Sequence, residues 1–223
     1  MSSPFANHRQ RVLAAKHSQA SAADAPRQDD AYALMLHQLH QDMAVLHGIQ
    51  SKQLKAERKA LMLPRYANWV TGVLEQGTGA QDDVITRIMV WRFDAGDLAG
   101  GLDIAQYVLT NSLMPLDGFE RTAGCLIAEE VADNALSAIY QEIPVDPSVL
   151  QRACDMTEQE DLPDKVRARL YKVAGMAYQH AGNLAAAKEA FESALSRDEK
   201  SGVKLALKQV NKELSAAAEA TKS

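Results

Sequence analysis

The chain has 223 residues, 47% of them hydrophobic, and a net charge of −5, which leaves room and apolar material for one large domain or for a domain with an arm. No apolar run approaches the roughly 20 residues of a membrane span, and the N-terminal MSSPFANHRQRVLAAKHSQ lacks the apolar block of a signal peptide. No G-x-x-x-x-G-K-[ST] occurs, which argues against a P-loop ATPase.

Alanine and leucine dominate and aromatics make up only 5%, a balance that predicts helices rather than sheets. Cys125 and Cys154 both fall in helix-like, alanine-containing stretches. They read as small buried residues of a cytoplasmic protein rather than as a disulfide pair. The net charge hides an asymmetry. Residues 1–62 hold eight Lys/Arg against five Asp/Glu, while residues 63–223 hold sixteen against twenty-four. A front of +3 on a body of −8 points to a polyanion at one end and a different partner at the other.

In chain order, residues 1–29 read as a polar, basic, flexible arm. Within it, residues 5–20 suit a short helix carrying Arg9, Arg11 and Lys16, and SQASAADAPRQD (18–29) reads as a linker. Residues 30–63 contain no proline and a single glycine, Gly48, and read as one long helix capped by Asp29 or Asp30. At on the order of 50 Å it is too long for one small domain and suggests a connection between two things. Leu36, Leu39, Met43 and Leu46 follow the 3-4-3 spacing of a coiled-coil seam. The seam either packs on its own domain or pairs with a neighbouring subunit, and it fades at Gln50 and Gln53. Lys52, Lys55, Arg58 and Lys59 fall largely on one face, as a solvated helix end or as a phosphate-contacting surface. His37 and His40 stand three apart but have no third ligand at fixed spacing, so no metal site is expected.

Pro64 ends this stretch. Shorter helices are expected over 66–77, 84–95, 98–111 and 119–142, with further starts at Asp146-Pro147 and Leu162-Pro163. From Tyr171 onward, Gly175, Tyr178, Gly182, Ala187, Phe191 and Ala194 keep the spacing of a tetratricopeptide-type helix hairpin, with Glu199 where the terminal proline of that pattern would stand. GDLAGGLDIAQYVL (96–109) echoes its second half weakly, and residues 203–217 would cap the end. The expected fold is all-α: a long N-terminal helix (30–63) followed by an array of helical hairpins (64–220), the last one tetratricopeptide-like.

Four strings carry more specific information: LPRYANWVTGVLEQG (63–77), TGAQDDVITRIMVWRFDAGDLAGGLDIAQYVL (78–109), ERTAGCLIAEEVADNAL (120–136) and LPDKVRARLYKVAGMA (162–177). With them the chain resembles the small terminase subunits of temperate bacteriophages with contractile tails, from about Tyr32 to about Lys212. The resemblance implies a viral DNA-packaging protein of the host cytoplasm. Such a protein binds the packaging site on double-stranded viral DNA, assembles as a homo-oligomer, often a ring, and recruits or regulates a large subunit with ATPase and nuclease activities. The chain departs from the common plan in two ways. Residues 1–29 are too short and polar for the helix-turn-helix domain with which many relatives begin, and the C-terminal hairpin is larger than their short tail.

DNA binding is then expected at Arg9, Arg11, Lys16, Lys52, Lys55, Arg58 and Lys59, and oligomerisation along Leu36, Leu39, Met43 and Leu46, with no cofactor and no membrane partner. In this branch the small subunit has itself been labelled an endonuclease. A metal-dependent nuclease needs two or more converging carboxylates, and the candidates are Asp82, Asp83, Asp94, Asp97, Glu129 and Glu130. Asp82 and Asp83 stand where a helix cap is wanted, Asp97 lies at a turn, and Glu129 and Glu130 point to different helix faces. Cleavage is therefore expected from the large subunit, and no catalytic residue is assigned here. A helical-repeat scaffold that binds only protein is the third alternative.

Overall fold

The computed structural model describes residues 7–8, 10–14, 30–77, 79–114 and 121–220. These residues form helices joined by turns and contain no strand, in agreement with the all-α expectation. They divide into two compact units, one ending at Ala123 and the other beginning at Gly124.

The first unit contains α1 (10–14), α2 (Asp30–His47), α3 (Lys52–Met62), a 3-10 turn (Leu63–Arg65), α4 (Ala67–Gln76), α5 (Asp83–Asp94) and α6 (Leu98–Thr110). The stretch expected as one long helix is thus two. α2 stops at His47, and Ser51 caps α3, its hydroxyl accepting from the Leu54 N–H at 3.3 Å. Glycine costs about 1 kcal/mol in a helix interior, and a serine hydroxyl competes for backbone N–H groups outside helical geometry. Gly48 and Ser51 therefore open a corner between the two helices. Beyond it both α2 and α3 pack against α5, so this stretch is wrapped into its own unit and makes no connecting rod.

α5 is the centre of the unit. Val84, Ile85, Ile88, Met89, Trp91 and Phe93 are all buried, the pattern of a helix enclosed on every side. Its start is fixed by Asp82, which is fully buried. One carboxylate oxygen accepts from the N–H groups of Val84 (2.8 Å) and Ile85 (3.0 Å), and the other accepts from the Trp69 indole N–H at 2.9 Å. Tyr32 of α2 stacks on Trp69 with ring centroids 5.9 Å apart, and its hydroxyl accepts from the Asp83 N–H at 3.0 Å. Asp42 of α2, 3% exposed, accepts from the Tyr66 hydroxyl (2.8 Å) and the Arg65 guanidinium (2.7 Å). Burial, and after it the Asp42 carboxylate, raises the Tyr66 pKa and keeps that hydroxyl a donor. Buried polar groups tied off in this way fix one packing arrangement, because an unmatched partner costs about 1–3 kcal/mol.

Two glycines allow close approaches. A side chain at Gly101 would meet the Phe93 ring at 2.3 Å, so α6 crosses α5 there. A side chain at Gly72 of α4 would meet the Arg11 carbonyl oxygen at 2.3 Å, so α1 is seated on α4, with Ala14 fully buried. Residues 1–6, 9 and 15–29 of the stretch expected as a flexible arm, the linker among them, lie outside the described residues.

The second unit contains α7 (Ala123–Tyr140), α8 (Pro147–Met156), α9 (Asp164–His180), α10 (Leu184–Arg197) and α11 (Lys204–Ala220). The helix starts read from Asp146-Pro147 and Leu162-Pro163 are both present. Asp146 caps α8 by accepting from the Ser148 N–H at 2.9 Å, a bond that holds its carboxyl below the usual range. Arg167, 8% exposed, donates to the carbonyls of Thr157 (3.2 Å) and Glu160 (2.8 Å), pinning the α8–α9 loop. α9 and α10 form the expected hairpin across a turn with Gly182 at φ +76°, and Asn183 caps α10. A Cβ at Gly175 would lie 2.6 Å from the Phe191 ring, which marks where the helices cross. The tetratricopeptide likeness rests on the spacing alone. Phe191 gathers Ala187, Ala194, Val203 and Val210 into one cluster, the last two supplied by α11 and the residue before it. Cys125 and Cys154 are both buried free thiols, and burial pushes Cys154 up to about 12.

Candidate nucleic-acid interface

The cations expected to meet DNA do not have equal freedom. Arg9 and Lys16 lie outside the described residues. Arg11 is exposed while its backbone is pressed onto Gly72. Lys52 and Arg58 are exposed on α3. Lys55 and Lys59 are half-buried, on the same side of α3 as the buried Met62. Lys59 pairs there with Asp94 of α5, with side-chain exposures of 16% and 30%. This face is therefore partly turned toward its own unit. Lys59 fastens α3 to α5, whereas Lys52, Lys55 and Arg58 make no ion pair among the described residues.

The apolar seam is also turned inward. Leu39 and Leu46 are buried at 0% and 6% exposure, and Leu36 and Met43 are half-buried. The large apolar side chains left exposed on these helices are Leu34 and Val45 on α2 and Leu54 and Leu61 on α3.

Several of the carboxylates weighed as a metal site are engaged in holding helices. Asp82 caps α5 and takes the Trp69 indole. Asp94 pairs with Lys59. Asp97 caps α6 through the Gly100 N–H at 2.9 Å and pairs with Arg92. Glu130 lies beside Asn134 on its own helix, that amide donating to the Glu130 carbonyl at 2.8 Å. His37 contacts Gln41 at 2.9 Å, and both it and His40 are exposed. Among the described residues, no three His, Cys, Asp or Glu side chains come together in a way that could hold a metal ion.

Reading the sequence by local charge density missed a second set of cations. Lys204, Lys208 and Lys212 stand on one side of α11 and are all exposed. Residues four apart on a helix are neighbours, so they form a ladder with rungs about 6 Å apart. The signal was present in VKLALKQVNKELSAA as an i, i+4, i+8 repeat. It was masked by the acidic total of the residues around it and by reading this segment only as an end cap.

The GAQDD…MVWRFDAGD string (79–97) builds the enclosed α5 and its Asp82 cap, and LPRYANWVTGVLEQG (63–77) supplies Trp69. Residues 36–165 match the model of the family described as phage small terminase subunit, and the chain belongs to that family. It is 39% identical to the "Terminase, endonuclease subunit" of Escherichia phage P2 over 214 residues, which is 96% of this chain and 86% of the relative. No solved structure matches the chain. No helix among the described residues is long and apolar enough to cross a membrane.

Proposed function

We propose that this chain is the DNA-binding adaptor of a viral packaging machine acting in the host cytoplasm. It binds the packaging site on double-stranded viral DNA, assembles as a homo-oligomer, and presents that DNA to the large ATPase and nuclease subunit. Family membership carries this reading. Cations that find no carboxylate partner among the described residues support it: the exposed Lys52 and Arg58 and the half-buried Lys55 on α3, and the exposed Arg11 in the same unit. Contacts of lysine with phosphate position the duplex and do not read its bases. Several subunits multiply a weak basic surface by raising its effective concentration. Lys59 is left out of the set because of its bond to Asp94. Self-association draws on the exposed Leu54 and Leu61 together with Leu36 and Met43, since Leu39 and Leu46 are already covered. Gel shifts with viral duplex DNA test the reading. The wild-type chain binds at low salt, and Lys52→Gln/Lys55→Gln/Arg58→Gln weakens binding with a flatter salt dependence. A wild-type chain with no affinity at low salt leaves the protein-only scaffold in its place.

The P2 relative's name favours a second reading, in which the chain itself cuts DNA. Against it stands the engagement of Asp82, Asp94 and Asp97 in caps and ion pairs. Incubating the purified subunit alone with viral DNA and magnesium or manganese separates the two, and we expect no cleavage until the large subunit is added.

A further inference from the structure

We propose that the lysine ladder of α11, on the second unit, is a phosphate-binding surface for duplex DNA, separate from the cations of the first unit. The proposal rests on the DNA-binding reading above and extends it to a helix that reading does not use.

The ladder is built by the core beneath it. Val203 and Val210 are buried at 1% and 0% exposure, and Ala206, Leu207 and Leu214 pack on the same cluster. That places Lys204, Lys208 and Lys212 on the outer side, beside Leu205 at 80% exposure. Among the described residues none of the three lysines makes an ion pair, and there is no acid in the first turn of α11. The nearby carboxylates have other bonds or stand apart. Asp198 accepts from the Lys200 N–H at 2.8 Å, Glu213 accepts from the Gln209 amide at 3.0 Å, and Glu199 is exposed before the helix. Lys172 of α9 adds a cation at the foot of the ladder, its ammonium against Gly202.

This charge placement runs against the helix. The N-terminal end of a helix carries a partial positive charge and favours acids there, yet the first residue of α11 is a lysine and the next rung lies one turn on. The arrangement costs the isolated chain a little, and an anion laid along the rungs removes that cost. The shape of the ladder selects the anion. Protein interfaces deplete lysine from their centres and anchor on Trp, Tyr and Arg, and the outer face of α11 has none of these. A strand of DNA presents a phosphate for about every 3.4 Å of axis, so successive rungs fall within reach of phosphates along one strand.

The test is the salt dependence of duplex binding by the full chain, comparing wild type with Lys204→Gln/Lys208→Gln/Lys212→Gln. Glutamine keeps helix propensity, so thermal unfolding is expected to stay unchanged and serves as the folding control. Three lost phosphate contacts lower the slope of log K against log salt by about 2.7 and weaken binding at least about tenfold at roughly 0.1 M salt. Lys188→Gln, whose ammonium already pairs with Glu192 at 3.8 Å, leaves the slope where it was. A triple variant that binds with the wild-type slope overturns the ladder and leaves the DNA-binding reading standing. A wild-type chain that binds no duplex at low salt overturns both.

Discussion

α3 and α11 each look like a basic helix, and they differ in what the carboxylates of the fold do to them. In α3 four cations fall within eight residues, but the side that carries Lys55 and Lys59 also carries the buried Met62, and Asp94 of α5 takes up Lys59. In α11 three lysines are spread over nine residues, and among the described residues no carboxylate closes on any of them. Local density of charge marked the first helix and passed over the second. What decides the availability of a cation is the counter-charge delivered from elsewhere in the chain, and a linear count does not contain that. The dense cluster partly holds its own unit together, and the sparse one faces outward.

The largest effect expected from disturbing this contrast lies under α11. Phe191→Ala removes the side chain on which Ala187, Ala194, Val203 and Val210 converge. Such a truncation costs about 3–5 kcal/mol and should lower the unfolding midpoint of the second unit in denaturant. Because α11 loses its seat, ladder-dependent DNA binding should fall with it. Gly175→Val forces a side chain into the space the Phe191 ring occupies, at 2.6 Å from the Cβ position. Overpacking of that kind costs about 1–3 kcal/mol, and the same denaturation experiment reads it.

A smaller effect separates the two helices directly. Lys59→Gln breaks the tie to Asp94 and should destabilise the first unit by about 1 kcal/mol, with little change in the slope of DNA binding against salt. The α11 lysines should show the reverse, a changed slope at unchanged stability. Equal behaviour at the two places would remove the distinction. The smallest effect concerns Cys154. Its thiol, pushed up to about 12 by burial, is held in the neutral form. That contribution is whole below the ordinary thiol pKa of about 8.5 and is lost as pH rises toward about 12. Cys154→Ala should therefore flatten the alkaline fall in stability of the second unit. At pH 8 the native thiol should resist alkylating reagents, since the thiolate is the reactive form. Rapid labelling there would mean that the unit opens.

Much of the fold was legible because its signals are local. Asp146-Pro147 announces a helix start through a side chain that reaches only two residues, and Gly182 falls at the hairpin turn. The reading of one helix over 30–63 failed at Gly48. Apolar residues continue on both sides of it, and only the Ser51 hydroxyl, which accepts from the Leu54 N–H, says that the chain has restarted. The inward aim of the Leu36–Leu46 stripe was equally hidden, because a stripe at helical spacing fits a neighbouring subunit as well as it fits α5. Family membership was visible in the strings that build α4 to α6. The distribution of free charge was not, since it depends on pairings such as Lys59 with Asp94, thirty-five residues apart.

The buried Asp82 limits which substitutions can inform on cleavage. One of its oxygens accepts from the N–H groups of Val84 and Ile85, and the other accepts from the Trp69 indole N–H. A carboxylate of this length supplies acceptors in both directions, whereas the amide of asparagine supplies one acceptor and two donors. Asp82→Asn therefore turns an N–H toward an N–H inside a closed site, whichever way the amide is flipped. Activity lost in a variant at this position reports a displaced α5, and inferring a catalytic carboxylate from it would mistake a missing keystone for a missing tool.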